Sequence, residues 1–151
     1  MKTILENKKA KSEYQILETY EAGIELKGSE VKSIKMGKVS FKDSFIIIKK
    51  GELFVINMYV APYEFSTHEK LDPERPRKLL LHRKEIDRII GKSKERGLTI
   101  VPLKIYLKNH LVKMEIALAK GMKKYEKKEK IKERIIEREI KRELKNLRRA
   151  N

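Results

Sequence analysis

The sequence predicts a mainly β protein with inserted helices, in which a small antiparallel barrel precedes a basic C-terminal tail. Up to position 119, apolar and polar residues mostly alternate, as they do in strands that bury one face. Two segments instead show helical spacing and end at a glycine. From position 120 onward the alternation stops. Because 151 residues suit one domain, we predict a barrel over residues 1–119 and a tail over residues 120–151.

The first predicted elements are two strand segments and a short helix. Apolar and charged residues roughly alternate over residues 14–17 and again over residues 19–26. Ser29 is a suitable N-cap, and Gly37 is a suitable terminator one or two turns later. We therefore expect a helix between Ser29 and Gly37.

A β-hairpin and a loop follow this helix. Residues 41–48 and 53–60 are rich in β-branched and aromatic side chains, and Gly51 lies between them in a turn sequence. Residues 61–78 contain three prolines and little periodicity, so they are predicted to form a surface loop.

A second helix and a second hairpin complete the predicted barrel. Isoleucines recur at helical spacing over residues 82–90, and Gly91 follows where that helix is expected to end. Residues 101–107 and 112–118 alternate as two antiparallel strands. Pro102 lacks an N–H group, so it requires a sheet edge or a bulge. A meander of this kind favours a small barrel, of which the oligonucleotide-binding fold is the commonest RNA-related example.

The net charge points to a polyanionic partner. Lys and Arg number 38 against 22 Asp and Glu, which gives +16. Residues 120–151 hold 14 of the basic residues and 6 of the acidic ones, so half of the excess charge lies in the tail. An apolar segment of about 20 residues or a lipidation motif would favour a membrane, and neither is present. The chain also lacks a secretory signal, which predicts a cytoplasmic RNA-binding protein.

Catalytic and metal-binding motifs are missing from the sequence. There is no cysteine, and His68, His82 and His110 show no ligand spacing such as HExxH. Phosphate-loop, dinucleotide and serine-hydrolase motifs do not occur, and the carboxylates fall singly among lysines. We therefore expect neither enzymatic activity nor a metal or cofactor.

Apolar residues in the tail follow helical spacing, but they form a narrow stripe. Isolated helices of this kind are marginal in water, so the tail is expected to be disordered when free and helical when bound. A coiled-coil seam is the alternative, but the spacing does not sustain heptads. The protein is therefore expected to be a monomer.

Several blocks of residues resemble one known family. In chain order they are Asn7-Lys8-Lys9-Ala10, Tyr20-Glu21-Ala22-Gly23-Ile24, Gly28-Ser29-Glu30-Val31-Lys32-Ser33, Asp72-Pro73-Glu74-Arg75, Lys78-Leu79-Leu80-Leu81 and Ala117-Leu118-Ala119-Lys120-Gly121. From about residue 7 to about residue 134, the chain resembles the small protein B family, the SsrA-binding proteins of bacterial trans-translation.

This resemblance implies a function and a set of partners. The barrel would hold the tRNA-like domain of transfer-messenger RNA (tmRNA) and deliver it, with elongation factor Tu, to a stalled ribosome. The tail would enter the empty decoding site of the small subunit and line the mRNA channel.

The resemblance also implies two groups of site residues. Glu21, Leu80 and Lys113 match family positions that contact the RNA elbow, and the neighbouring blocks add Asn7, Lys8, Arg77 and Lys78. The implied ribosome-binding tail residues are Lys120, Gly121, Lys123, Lys124, Tyr125, Lys127, Lys128, Lys132, Arg134 and Ile136. Tyr125 stands where His is common and can stack on a base, whereas Ile136 stands where a bulky aromatic is frequent and can only act as an apolar wedge.

Other interpretations remain for individual residues and for the function. Glu21 can accept hydrogen bonds from ribose or base donors, or it can pair with a lysine across the sheet. Leu80 can contact a base or belong to the core. Tyr106 is among the aromatics that can stack on bases or fill the core. A ribosomal protein or ribosome-associated factor that binds rRNA alone, and an RNA-modifying enzyme, are the rival functions.

Overall fold

The fold is mainly β, as the sequence predicts. A computed structural model describes residues 1–64 and 71–121, together with Arg138 and Arg142. The described strands are β1 (Lys2–Glu6), β2 (Tyr14–Ile24), β3 (Val39–Ser40), β4 (Phe45–Lys49), β5 (Glu52–Ile56), β6 (Tyr59–Val60), β7 (Arg77–Leu80), β8 (Thr99–Lys108) and β9 (Leu111–Gly121). The helices within these ranges are α1 (Lys8–Glu13), α2 (Gly28–Lys35) and α3 (Arg83–Arg96).

One antiparallel sheet organises the described part of the chain. Its strand order is β1-β8-β9-β2-β7-β5-β4, while β3 and β6 pair separately. Cα atoms of β4 and β8 come within 8 Å without strand pairing, so the sheet curls round towards closure. Its inner face carries the main core, which includes Ala22, Leu53, Leu79, Ile105 and Met114, all fully buried.

The outer face of the sheet carries a second, smaller core beneath α1. Ala10 of α1 packs there with Val101, Leu103, Ala117 and Ala119. Neither α1 nor β1 was expected from the sequence. The helix is only six residues long, and too few positions are available for a periodicity to emerge.

Strand β2 is one continuous strand instead of the two predicted segments. A β-bulge between Ile16 and Glu18 adds one residue, Leu17, opposite β9. The extra residue interrupts the alternation at the point where the sequence suggests a break. A second bulge lies between Pro102 and Lys104 in β8, which confirms the expected irregularity at Pro102 in a strand that lies between β1 and β9.

Both predicted helices are present, but each has a different limit. Helix α2 has Lys27 as its N-cap instead of Ser29. Helix α3 runs through Gly91 and ends at Gly97, which adopts a left-handed conformation with φ 61° and ψ 38°. The predicted end at Gly91 is therefore wrong: a glycine terminates a helix where the backbone must turn left-handed, and Gly91 does not supply that turn.

Both predicted hairpins are also present. Strands β4 and β5 pair across Lys50 and Gly51, whose φ angles are 52° and 72°. Strands β8 and β9 pair across Asn109 and His110, which also have positive φ. Both turns thus use the left-handed conformations that two-residue hairpins require.

The limits of three strand predictions were wrong. Residues 59–60 form β6 instead of extending β5, the last residues of the predicted loop 61–78 form the start of β7, and β9 continues to Gly121. Strand β7 carries a buried arginine, so it does not show the apolar alternation that identifies a half-buried strand.

Candidate nucleic-acid interface

Several candidate residues meet on the outer face of the sheet. Tyr106 lies opposite Lys113, Lys113 lies opposite Gly23, and Gly23 lies opposite Leu80. Directly opposed residues in antiparallel strands project from the same face. The row therefore crosses β8, β9, β2 and β7 and gathers residues that are far apart in the sequence.

Glu21 presents an oriented, ionised carboxylate on this face. Tyr106 Oη donates a 2.5 Å hydrogen bond to Glu21 Oε2, and Lys108 Nζ lies 3.4 Å from both carboxylate oxygens. The hydrogen bond from Tyr106, with support from Lys108, lowers the pKa of Glu21. The Glu21 side chain is 39% exposed, so it can still accept hydrogen bonds from a ligand.

Tyr106 is buried beside this carboxylate. It is 3% exposed, and burial followed by the hydrogen bond to Glu21 raises the pKa of its hydroxyl. Lys104 Nζ lies over its ring, 5.5 Å from the ring centroid. A ring enclosed in this way is not available to stack on a base, so Tyr106 acts through the residues that it orients.

Leu80 is an exposed apolar residue in the same cleft. It is 49% exposed, whereas the preceding Leu79 is fully buried, so Leu80 does not belong to the core. A Cβ atom at Gly23 would lie 3.3 Å from Leu80 Cβ, which is tighter than ordinary contact. The absence of a side chain at Gly23 therefore allows Leu80 to lie close to the sheet.

The cleft around these residues has a volume of about 510 Å³. Its lining is Glu21, Gly23, Leu80, Leu81, His82, Glu85 and Lys113. Lys113 is half-buried and makes no ion pair with any residue that the structure describes. The cleft thus combines a hydrogen-bond acceptor, an apolar contact and a cation.

Lys78 lies beside this cleft, on the same strand as Leu80. Its side chain is 38% exposed, and its Nζ lies 4.0 Å from Glu52 Oε2. Residues Lys78 and Leu80 are two apart and therefore share the outer face of β7.

Arg77 instead points into the interior and is fully buried. Its guanidinium donates to Glu30 Oε2 at 2.6 Å, to the Met58 carbonyl at 2.8 Å and to the Pro73 carbonyl at 3.0 Å. A direct RNA contact by Arg77 does not fit this position. The side chain joins α2 to β7 and the segments around Met58 and Pro73.

Glu30 is the acidic partner in this buried cluster. Burial works to raise its pKa, but hydrogen bonds from Arg75, the Lys27 backbone and Arg77 outweigh burial, so the pKa is lowered. Arg75 Nη2 lies 2.5 Å from Glu30 Oε1. Removing one member of such a buried pair leaves an uncompensated charge, which is strongly destabilising.

Asn7 and Lys8 lie at a different place, at the start of α1. Asn7 is 8% exposed, with its Nδ2 donating to the Pro102 carbonyl at 2.8 Å and its Oδ1 accepting from the Ala10 N–H at 3.1 Å. Asn7 therefore caps α1 and ties it to β8. Lys8 is exposed beside it.

Only two of the candidate tail residues fall within the described part of the chain. Lys120 and Gly121 are exposed and lie opposite Gln15 and Tyr14 at the end of β9. The other tail candidates lie outside the described residues: Lys123, Lys124, Tyr125, Lys127, Lys128, Lys132, Arg134 and Ile136. The predicted tail helix also lies outside them, except for Arg138 and Arg142, which are helical and exposed.

Sequence reasoning did not identify the supporting roles of Tyr106 and Gly23. The alternation of Lys104, Tyr106 and Lys108 places Tyr106 among polar residues on one strand face, which was the available signal. Its pairing with Glu21 depends on a register between strands that the sequence does not specify.

The described residues contain no group of three His, Asp or Glu side chains arranged to hold a metal ion. His82 and His110 are exposed and belong to separate elements, while His68 lies outside the described ranges. Among the helices of the described chain, none combines the length and apolar character needed to cross a membrane.

A family model described as SmpB protein matches residues 4–146. The chain belongs to the SmpB protein family. This match confirms the resemblance found in the sequence, and it covers nearly all of the barrel as well as most of the predicted tail.

Curated relatives of this SmpB family chain are named SsrA-binding protein. The protein from Thermosipho melanesiensis is 60% identical over 126 residues, which cover 83% of this chain and 86% of the relative. The protein from Aquifex aeolicus is 62% identical over 123 residues, which cover 81% and 78% of the two chains.

A solved structure also resembles this SmpB family chain. Its description reads "tmRNA-SmpB: a journey to the center of the bacterial ribosome". The matching chain is 52% identical, with a TM-score of 0.65, and the match covers 80% of this chain and 85% of that one.

Proposed function

We propose that this SmpB family chain binds the tRNA-like domain of tmRNA and delivers it to stalled ribosomes in trans-translation. The names of the relatives and the ribosome-related structure support tmRNA and the ribosome as partners. The observation that carries the proposal is the cleft in which Glu21, Leu80 and Lys113 meet.

Each of these side chains suits a different part of a folded RNA. The ionised Glu21 carboxylate accepts hydrogen bonds from ribose hydroxyls or base amino groups, which a lysine cannot do. Leu80 offers apolar surface to an unstacked base, and Lys113 offers a cation to phosphate. RNA elbows present all three features on one surface, whereas a regular duplex hides its base faces.

The proposed role is adaptor binding without a catalytic step. Elongation factor Tu joins through the charged tmRNA, and the chain acts as a monomer in the cytoplasm, where translation takes place. Residues 120–151 carry half of the excess positive charge, which suits entry into the RNA-lined decoding site and mRNA channel. Lys8 and Lys78 supply additional cationic surface on the barrel, whereas the buried Asn7 supports this surface by capping α1.

A filter-binding comparison tests this function. The full chain is titrated with the tRNA-like domain and with an unrelated duplex RNA of equal length, over a series of salt concentrations. We expect the preference for the tRNA-like domain to persist as salt rises, because nonspecific charge binding weakens on both RNAs.

The site is tested by Glu21→Gln, with Glu95→Gln as the matched control on the exposed end of α3. Hydrogen bonds to charged groups contribute about 1.5–3 kcal/mol, so Glu21→Gln is expected to weaken selective binding by roughly tenfold or more.

In the filter-binding comparison, equal affinity of the unmodified chain for both RNAs would instead support the rival function, binding to rRNA alone.

A further inference from the structure

We infer that the turn of the β4–β5 hairpin extends the RNA surface, with Lys49 and Lys50 contacting phosphates of the same RNA that occupies the cleft. This inference rests on the proposed function and adds a second contact region to it. Three observations carry it: the cross-strand alignment of the turn with the cleft, the contacts that hold the turn in place, and the local charge.

The alignment follows from the strand register. The row already described ends at Leu80 on β7, and β7 pairs with β5 through Phe54 and Lys78. Continuing that register by two residues brings Glu52 across from Leu80, and Glu52 is paired with Lys49 on β4. Adjacent strands are about 4.8 Å apart, so Lys49 on β4 lies two strands, or roughly 10 Å, from Leu80 on β7 along the outer face.

Direct contacts fix the turn against the rim of the cleft. Arg83 Nη1 donates to the Gly51 carbonyl at 2.9 Å, and Arg83 Nη2 also bonds the Glu52 carboxylate. Lys78 approaches the same carboxylate at 4.0 Å. Arg83 begins α3 immediately after His82, which lines the cleft. The hairpin turn and the cleft are therefore parts of one connected surface.

The charge of this region suits an RNA backbone. Its cations are Lys49, Lys50, Lys78, Arg83 and Lys84, and the acidic groups that pair with them are Glu52 and Asp87. Lys49 and Lys50 are exposed, and neither makes an ion pair within the described ranges 1–64 and 71–121. Their ammonium groups are thus available to replace the counterions of nearby phosphates.

The chemistry of the turn favours phosphate over base recognition. Lysine ammonium groups act as point charges, and the carboxylate that would read base donors, Glu52, is already engaged by Arg83 and Lys78. Phosphate contacts fix the position of an RNA without reading its sequence. The turn therefore holds the RNA in register while the cleft supplies selectivity.

The test uses the full chain carrying Lys49→Gln and Lys50→Asn together. Lys50 has a φ of 52°, and asparagine tolerates this left-handed conformation, so the hairpin is retained. The matched control carries Lys94→Gln and Arg96→Gln, which remove the same charge from exposed positions at the other end of α3. Lys94 lies eleven residues beyond Arg83, or about 16 Å along the helix.

Binding to the tRNA-like domain and to the unrelated duplex is measured by filter binding over a salt series, with thermal unfolding to verify both variants. We expect the turn variant to bind the tRNA-like domain on the order of tenfold more weakly, with a salt slope smaller by about 1 to 2. The control variant is expected to remain close to the unmodified chain.

Equal losses in the two variants would overturn the inference, because net charge alone would then account for the effect. In that case a retained preference of the unmodified chain for the tRNA-like domain leaves the proposed function standing. If the unmodified chain shows no such preference, the proposed function fails as well.

Discussion

The carboxylate of Glu21 is held in place by a residue that is itself enclosed by the protein. Tyr106 is buried, yet its hydroxyl bonds the carboxylate at 2.5 Å. Without that bond, the carboxylate is left with Lys108 as its described partner and can rotate towards it. Tyr106 is therefore a positioning residue for the proposed RNA contact.

Tyr106→Phe tests this role because it removes the hydroxyl and keeps the ring. We expect affinity for the tRNA-like domain to fall several-fold, since a hydrogen bond to a charged group contributes about 1.5–3 kcal/mol and part of it is replaced by Lys108. In the Glu21→Gln background the same change is expected to have little effect. The measurement is a double-mutant cycle of RNA affinities.

Thermal unfolding of all four proteins in this cycle provides the structural control. If Tyr106→Phe lowered RNA affinity equally in both backgrounds, Tyr106 would act through general stability of the sheet, and its positioning role would be wrong.

Residue identity alone does not show whether Leu80 and Arg77 face the solvent or the interior. Three consecutive leucines, 79–81, are compatible with either face of a strand, and only the pairing of β7 shows that Leu79 is buried and Leu80 exposed. Arg77 was assigned to RNA through the family resemblance, because it lies among the matching blocks around residues 72–81. Its partner Glu30 lies 47 positions away, so the residues near Arg77 in the sequence do not indicate that it belongs to a buried ion pair.

At the scale of elements, Glu18 connects β2 to α3. Lys92 Nζ bonds Glu18 Oε1, Tyr20 Oη donates to Glu18 Oε2 at 2.5 Å, and Arg88 Nη2 lies 3.4 Å from Oε1. The hydrogen bonds from Lys92 and Tyr20 lower the pKa of Glu18 from 4.5 to about 2. The carboxylate is thus more easily ionised in the folded chain than in the unfolded one.

This shift predicts a pH dependence of stability. A lowered folded-state pKa stabilises the fold above the unfolded value, and that stabilisation is lost as pH falls from about 4.5 towards 2. We expect Glu18→Gln to melt at a lower temperature than the unmodified chain near neutral pH, with the difference shrinking as pH falls through this range. Circular-dichroism melts over a pH series measure it.

Glu95→Gln is the control, since Glu95 is exposed and makes no ion pair in the described part of the chain. A difference between Glu18→Gln and the unmodified chain that stayed constant from neutral pH to pH 2 would contradict the connection through an ionised Glu18.

The elements found from the sequence are those with enough length to establish a period. Residues 101–107 and 112–118, which form most of β8 and β9, alternate in the sequence, and their turn residues fit a tight hairpin. Helix α3 was predicted, but its predicted end at Gly91 was too early. The sequence does not show which glycine adopts the left-handed backbone that ends a helix, and in the structure this is Gly97. Strands of two residues, such as β3 and β6, carry no periodic signal.

At the scale of the whole molecule, the residues proposed to recognise RNA and those proposed to bind the ribosome lie in different parts of the chain. The cleft and the hairpin turn lie on the barrel, while the candidate ribosome-binding residues extend beyond β9. Because these two groups of residues are separated along the chain, we expect that RNA binding and ribosome binding can be removed independently.

Truncation after Gly121 tests this separation, because it retains the pairs that Lys120 and Gly121 make with β2. We expect affinity for the tRNA-like domain to remain nearly intact and rescue of stalled ribosomes to be abolished. Filter binding and a reconstituted trans-translation assay give the two readouts. A loss confined to RNA binding would show that the division of roles is incorrect.

The two bulges described in β2 and β8 have a consequence for the outer face. Ile16 lies opposite Ala119, and Thr19 lies opposite Ala117, so two positions three residues apart share one side of the sheet. This changes the parity of the strand, because side chains on one side of a regular strand are two residues apart. In β8 the same parity change lies between Val101, opposite Ala117, and Lys104, opposite Glu115.

Both parity changes fall between the apolar end of this face, covered by α1, and the polar end that carries Glu21 and Tyr106. In an unbulged β2, the residues that share a side with Ile16 would be Glu18, Tyr20 and Ala22, and Glu21 would face the core. One inserted residue in each strand thus lets a single sheet surface pack against α1 at one end and present Glu21 at the other. The candidate interface therefore depends on the number of residues in β2 and β8 between its apolar end and its polar end, as well as on which residues these are.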